Sequence, residues 1–476
     1  MKPVITIVGR PNVGKSTLFN RLTRSRTALV ADIPGLTRDR QYGDGRVGDR
    51  PYLVVDTGGV VEELTGTQSG GKNLSDSVMA QTRQALAEAD AIIFLVDARD
   101  GVQTGDRVLA ADLRRLGKPI VLAVNKAEGI DPAVAGAEFH ALGLGEPSAV
   151  SASHGDGVEQ MLARALARVP LAEVPPLSGD QAKIPHIAVI GRPNAGKSTL
   201  VNALLGESRV IVGDQPGTTR DSIHVPLERH GASYVLIDTA GVRRRARIED
   251  TLEKFSVVKT LQAIDEANVV IMVLDAHAGV ADQDAGLAGY ALEQGRAMVV
   301  AVNKWDLLET EQRERFRWEL DRKLGFLDFA RIHFISALTG KGVGELFRSI
   351  DAAFESAHRA LSTPKLNRAL TAAIQANPPP MVRGRRIRLK YAHQGGKNPP
   401  RIIIHGNQVS ALSATYRRYL AKAFRESFKL VGTPVLVECR QEANPYKGRP
   451  EGKRRKPRPS ASQQRKIQRK KVNQHA

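Results

Sequence analysis

The chain has 476 residues, one cysteine (Cys439) and a formal net charge of +20. A single cysteine excludes an intramolecular disulfide and fits a reducing compartment. The segment 1–8 is too short for a signal peptide and no apolar run approaches the ~20 residues of a membrane span, so a soluble cytoplasmic protein is expected.

In chain order, an apolar run at 4–8 leads into Gly9-Arg10-Pro11-Asn12-Val13-Gly14-Lys15-Ser16, followed by a helical pattern from Thr17. This is the strand–G-x-x-x-x-G-K-[ST]–helix context of a phosphate-binding loop. Thr37 comes next, in a loop with Pro34-Gly35, and a run at 52–55 ends on Asp56-Thr57-Gly58-Gly59-Val60. Helical patterns at 74–89 and 104–116 precede strands expected at 91–96 and 119–124. The last of these ends on Asn125-Lys126-Ala127-Glu128, and Ser151-Ala152 follows. Four prolines and a Ser178-Gly179-Asp180 turn signal within 170–185 mark a linker.

The series then repeats. Gly191-Arg192-Pro193-Asn194-Ala195-Gly196-Lys197-Ser198, Thr219 and Asp238-Thr239-Ala240-Gly241-Val242 lie 182 residues beyond their first copies. Asn303-Lys304-Trp305-Asp306 lies at an offset of 178 and Ser336-Ala337 at 185. Spacing that holds through the motifs and drifts where loops sit is the mark of a duplicated domain. Strands expected at 187–190, 234–237, 269–274 and 297–302 complete the second α/β pattern. Two doubly wound, mostly parallel sheets are expected, with ligands at the carboxyl ends of their strands.

Beyond residue 360 the order becomes helix (365–376), strand (387–392), strand (401–405), helix (413–429), strand (434–439), a small α+β domain with a glycine turn at 395–398. The expected organisation is a first domain at 1–169, a linker at 170–184, a second domain at 185–357, the α+β domain at 358–443 and a basic tail at 444–476. The tail holds 12 basic residues and one acid, so it cannot bury a core and is expected to be disordered when free. Residues 364–476 together hold 27 Lys plus Arg against 4 Asp plus Glu, which is +23 and leaves residues 1–363 at −3. This asymmetry predicts a polyanion bound at one end of the molecule.

Each motif carries a chemical expectation. Loop amides cradle a β-phosphate, Lys15 and Lys197 reach the β- and γ-phosphates, and Ser16 and Ser198 ligate Mg²⁺. Thr37 with Asp56, and Thr219 with Asp238, complete the Mg²⁺ set and sense the γ-phosphate. The Asp306 carboxylate can accept from guanine N1–H and its exocyclic amine, which adenine cannot offer, and a backbone N–H of Ser336-Ala337 would meet the guanine O6. GTP is expected over ATP, at two sites. In the first half Glu128 replaces the aspartate, so its extra methylene must be absorbed there. Val60 and Val242 stand where a glutamine would orient water, and Arg243-Arg244-Arg245 reads as a solvated switch segment.

This ordered set, present twice and followed by a basic α+β domain, resembles the Der (EngA) family of bacterial tandem-domain GTPases over residues 1 to about 440. The resemblance implies a KH-like C-terminal domain and association with rRNA of the large (50S) ribosomal subunit during its late assembly. No G-x-x-G loop lies between helices of that domain, so 383–390 and the tail are the expected RNA contacts. Asn12 and Asn194 would hold K⁺ against the phosphates, as resemblance to potassium-stimulated members of this GTPase class implies. A monomer with no DNA or membrane partner is expected. A tRNA-modifying GTPase and a pure binding switch with negligible hydrolysis stand as alternatives.

Overall fold

Runs of Val, Ile and Leu without a polar face form strands covered on both sides, and these build the first two domains. The computed structural model describes residues 2–23, 41–57, 85–170, 184–206, 209–210, 224–237, 257–382 and 385–441. Thr37, Gly58, Gly59, Val60, Thr219, residues 238–245, most of the linker and the tail lie outside the described residues.

The first sheet contains β1 (Val4–Val8), β2 (Gln41–Val47), β3 (Arg50–Asp56), β4 (Ala91–Asp97), β5 (Ile120–Asn125) and β6 (Ser148–Ala149), in the order β2-β3-β1-β4-β5-β6. All pairs are parallel except β2 on β3. The second sheet contains β7 (His186–Ile190), β8 (Arg209–Val210), β9 (His224–Arg229), β10 (Ala232–Ile237), β11 (Val269–Asp275), β12 (Ala297–Asn303) and β13 (Arg331–Phe334). Its order is β13-β12-β11-β7-β10-β9-β8, again parallel through the centre with an antiparallel edge. Every residue of β4 and β11 is buried, which explains why these runs carry no alternation. Each sheet therefore delivers its strand ends, and the motifs on them, to one rim.

The C-terminal domain follows the expected α-β-β-α-β order: α1 (Thr363–Ala376), β16 (Arg388–Gly396), β17 (Arg401–Asn407), α2 (Ala414–Phe428) and β18 (Leu436–Gln441), with a short hairpin of β14 (Met381–Val382) and β15 (Arg385–Arg386). The Ser413 hydroxyl caps α2 by accepting from the Tyr416 N–H. Gly395 and Gly396, expected in a turn, belong to β16. A register shift between Gln394 and Gly396 lets the strand run on, and Gly395 packs directly on Ile403.

The domains share buried contacts. Val4, Tyr42, Leu53 and Val55 of the first sheet lie in one apolar cluster with Val257, Leu261 and Ile264 of the second domain. The C-terminal domain meets the second through backbone bonds, Met298 N–H to the Gly432 carbonyl at 2.6 Å and Gly432 N–H to the Phe329 carbonyl at 2.7 Å.

Candidate nucleotide sites

β1 and β7 each run into the glycine-rich loop, and helices Lys15–Leu22 and Lys197–Gly206 leave it. Lys15 Nζ donates to the carbonyls of Gly9 (3.0 Å) and Arg10 (2.7 Å), and Lys197 Nζ to the carbonyl of Arg192 (2.8 Å). Both ammonium groups are therefore held inside their own loops. Asn12 and Asn194 are exposed at the loop tips in left-handed conformation, φ 64° and 62°. The Ser16 hydroxyl donates to Asp56 Oδ2 at 3.0 Å, bringing two of the residues expected around Mg²⁺ face to face. Thr57 Oγ1 donates to the Ile7 carbonyl (2.8 Å) and so pins the end of β3 to β1.

The asparagines of the third motif join loops. Asn125 Nδ2 donates to the Val13 carbonyl (2.8 Å) while its Oδ1 accepts from Ala152 N–H (2.9 Å). Asn303 repeats this with Ala195 and Ala337, at 2.9 Å each. Each amide thus ties the glycine-rich loop to the Ser-Ala segment that follows the next strand. The Ala337 N–H, one of the two expected to meet a guanine O6, is turned to its amide, and the Ala152 N–H is turned likewise. The Ser151 and Ser336 N–H groups donate to the Asp156 and Lys341 carbonyls, each at 3.0 Å. The tie also explains the second glycine of each loop. A Cβ on Gly14 or Gly196 would lie 2.4 or 2.1 Å from the amide nitrogen, and both residues have positive φ, 97° and 92°.

Four further acids enter the sites. Lys126 Nζ pairs with Asp97 at 2.5 Å and Lys304 Nζ with Asp275 at 2.6 Å, at the ends of β4 and β11. Burial opposes ionisation of Asp275, but the Lys304 ammonium and the Ala278 and His277 N–H groups outweigh it and hold the carboxyl below its usual range. Arg10 Nε pairs with Asp106, and Arg192 Nε with Asp284, each at 2.8 Å to a carboxylate fully removed from solvent. These acids also cap helices Thr104–Arg115 and Asp282–Glu293. None of the four stands in a motif, although 97 to 275 and 106 to 284 repeat the 178-residue offset of the asparagines.

The acids expected to read the base differ between the halves. Asp306 is exposed, beside Trp305, whose ring packs on Phe334 with centroids 4.2 Å apart. Glu128 is half-buried and its Oε1 accepts from Arg99 Nη2 at 2.6 Å. Its own backbone N–H outweighs the effect of burial, and with Ser151, Arg99 and His154 it holds the Glu128 carboxyl below the usual carboxylate value.

Comparison with known proteins fits this geometry. A family model described as 50S ribosome-binding GTPase matches residues 4–126 and again 186–304, each match running from the strand before the phosphate loop into the third motif. A second, described as the KH-domain-like C-terminal part of EngA bacterial GTPase enzymes, matches 361–440. A GTPase Der from Chromobacterium violaceum is 55% identical over 96% of both chains. The chain belongs to the GTPase Der family. Two other Der proteins are each 56% identical over 94% of this chain. That of Thioalkalivibrio sulfidiphilus is covered over 95% of its length, and that of Paraburkholderia xenovorans over 99%. As a Der GTPase the protein hydrolyses GTP, and its C-terminal domain is KH-like. Among the described residues no helix is long and apolar enough to cross a membrane.

Proposed function

We propose that the protein is a monomeric cytoplasmic GTPase that docks on rRNA of the large ribosomal subunit and serves its assembly, with nucleotide at two sites setting when it binds. The observation that carries this reading is the doubled construction: the same Asn tie, the same lysine held in the loop and the same Arg–Asp anchor recur in both halves. Both sites read guanine, through Glu128 in the first and Asp306 in the second. Docking draws on the +23 of residues 364–476, which suits rRNA phosphates by counterion release.

The donor set suits Mg²⁺, since the Ser16 hydroxyl and the Asp56 carboxylate already face one another, both hard oxygen ligands. Ser16, Asp56 and Thr37 would hold the ion in the first half, and Ser198, Asp238 and Thr219 in the second. The ion would supply neutralisation of charge on the β- and γ-phosphate oxygens. Lys15 and Lys197 leave their loop carbonyls for the phosphates, which suits the observed bonds because those carbonyls sit at the mouth of the same loop. With valines at 60 and 242, Asn12 and Asn194 would hold a K⁺, which would supply positive charge at the phosphates.

Ribosomal-subunit co-sedimentation of the parent, Lys15→Ala and Lys197→Ala with GDP, GTP and a non-hydrolysable analogue, in K⁺ and in Na⁺, tests the reading. Each variant should lose the nucleotide dependence of binding, and turnover should fall sharply in Na⁺. Variants that sediment like the parent would sink the two-site switch, and equal turnover in the two salts would sink the K⁺ role.

A further inference from the structure

The two base-reading positions differ by more than one methylene. Where the first half has Arg99 and Glu128, the second has His277 and Asp306, each at the 178-residue offset. Arg99 reaches across from the loop after β4 to pair with Glu128 at 2.6 Å, whereas no ion pair holds Asp306 among the described residues. Arg99 is 62% exposed, and a pair so open contributes little to folding. Its position, on the carboxylate that would face guanine, is what gives it consequence.

A glutamate at this site has one more rotatable bond than aspartate, and its carboxylate has somewhere else to go. A cavity of about 430 Å³ opens beside it, lined by Ser148, Ser151, Gln160 and Arg164. We propose that Arg99 is a positioning residue of the first site, clamping the Glu128 carboxylate so that it accepts from both guanine donors. The second site needs no clamp, because the shorter Asp306 has one rotatable bond fewer to order. The clamp rests on the guanine-reading role of Glu128 proposed above. Without Arg99 the carboxylate keeps its own backbone N–H and Ser151 but loses the contact that fixes its outer oxygen, which must then be ordered on binding. That cost, for one immobilised side chain, corresponds to about three- to tenfold in affinity.

The test uses the full chain carrying Asp306→Asn, which turns amide hydrogens toward the guanine donors and silences the second site. GDP and IDP, which lacks the 2-amino group, are titrated into this parent and into chains adding Arg99→Ala, Arg99→Lys or Glu128→Asp. Arg99→Ala should weaken GDP about three- to tenfold and lower the GDP-over-IDP preference, because the outer carboxylate oxygen loses its place. Arg99→Lys should restore part of both, and Arg99→Ala added to Glu128→Asp should have less than half its former effect. A merely structural arginine would weaken both nucleotides equally. Unchanged affinity and preference in Arg99→Ala, or an equal effect in the Glu128→Asp background, would overturn the clamp. If the Asp306→Asn parent binds no GDP at all, the guanine-reading role of the first site falls and the clamp falls with it.

Discussion

At the scale of single residues, the asparagine of the third motif is better understood as a joint than as a reader of the base. An amide has one acceptor and two donor hydrogens, and Asn303 uses its oxygen on Ala337 N–H and its nitrogen on the Ala195 carbonyl, both buried. Replacing it with alanine leaves two buried backbone groups without a partner. Asn303→Ala should therefore destabilise the second domain by about 2–4 kcal/mol. Denaturant unfolding followed by tryptophan fluorescence reads this domain alone, because the two tryptophans, Trp305 and Trp318, both belong to it. A midpoint equal to the parent's would show that the tie carries no stability. The sequence identified this asparagine by its place in a motif, yet nothing local states its partners. They lie 108 and 34 residues away, on loops that only the folded sheet brings together.

Among the elements, the central strands were legible because a strand buried on both faces is an unbroken apolar run. The edges were not. β2, at the edge of the first sheet, reads Gln-Tyr-Gly-Asp-Gly-Arg-Val, and β9, next to the two-residue edge strand β8, reads His-Val-Pro-Leu-Glu-Arg, both polar and broken by glycine or proline as strands at a sheet margin are. The glycine-rich loop, the aspartate strand end and the Asn-Lys motif are legible from spacing, whereas the buried acids anchoring them stand outside any motif. The element β7 also carries a pH response. His186 opens it in a buried position, and burial first, then the neighbouring His224, push its imidazole below the ordinary value of 6.5. His333 on β13 is lowered too, chiefly by burial. As pH falls through about 6.5 the unfolded chain takes up these protons before the folded one. The stabilisation is thus present above that pH and is lost as pH drops toward the folded value. Asp265, Asp284, Asp351 and Glu293, raised chiefly by burial, act in the opposite sense, so the test is a difference. His186→Gln should flatten the fall in the second domain's unfolding midpoint between about pH 7 and pH 5.5, relative to the parent. Parallel profiles would remove His186 from the account.

For the whole molecule, the decisive contacts are those between domains, and composition could announce only their charge asymmetry. Lys2 Nζ lies 2.9 Å from both Asp44 of β2 and Asp265 at the end of helix Val257–Glu266. Gln294 Nε2 donates to Asp44 at 2.6 Å, and the Tyr290 hydroxyl to both oxygens of Asp265 at 3.2 Å. The node sits at the apolar contact formed by Val4, Tyr42, Leu53 and Val55, so one cation holds two carboxylates, one from each domain, at the margin of a shared core. Burial and the charge of Asp44 both raise the Asp265 carboxyl, and Lys2 opposes them. Removing the cation while leaving both acids converts a bridge into a repulsion, and breaking a buried pair from one side costs more than the pair itself contributes. Lys2→Met should therefore loosen the first domain from the second, giving a larger radius of gyration in small-angle scattering and faster hydrogen exchange along β2 and Val257–Glu266. Adding Asp44→Asn removes one of the opposed charges and should return both measures part of the way, whereas two independent effects would simply add. If Lys2→Met matches the parent in both measurements, the domains are held by their apolar contact alone and the node is incidental to it.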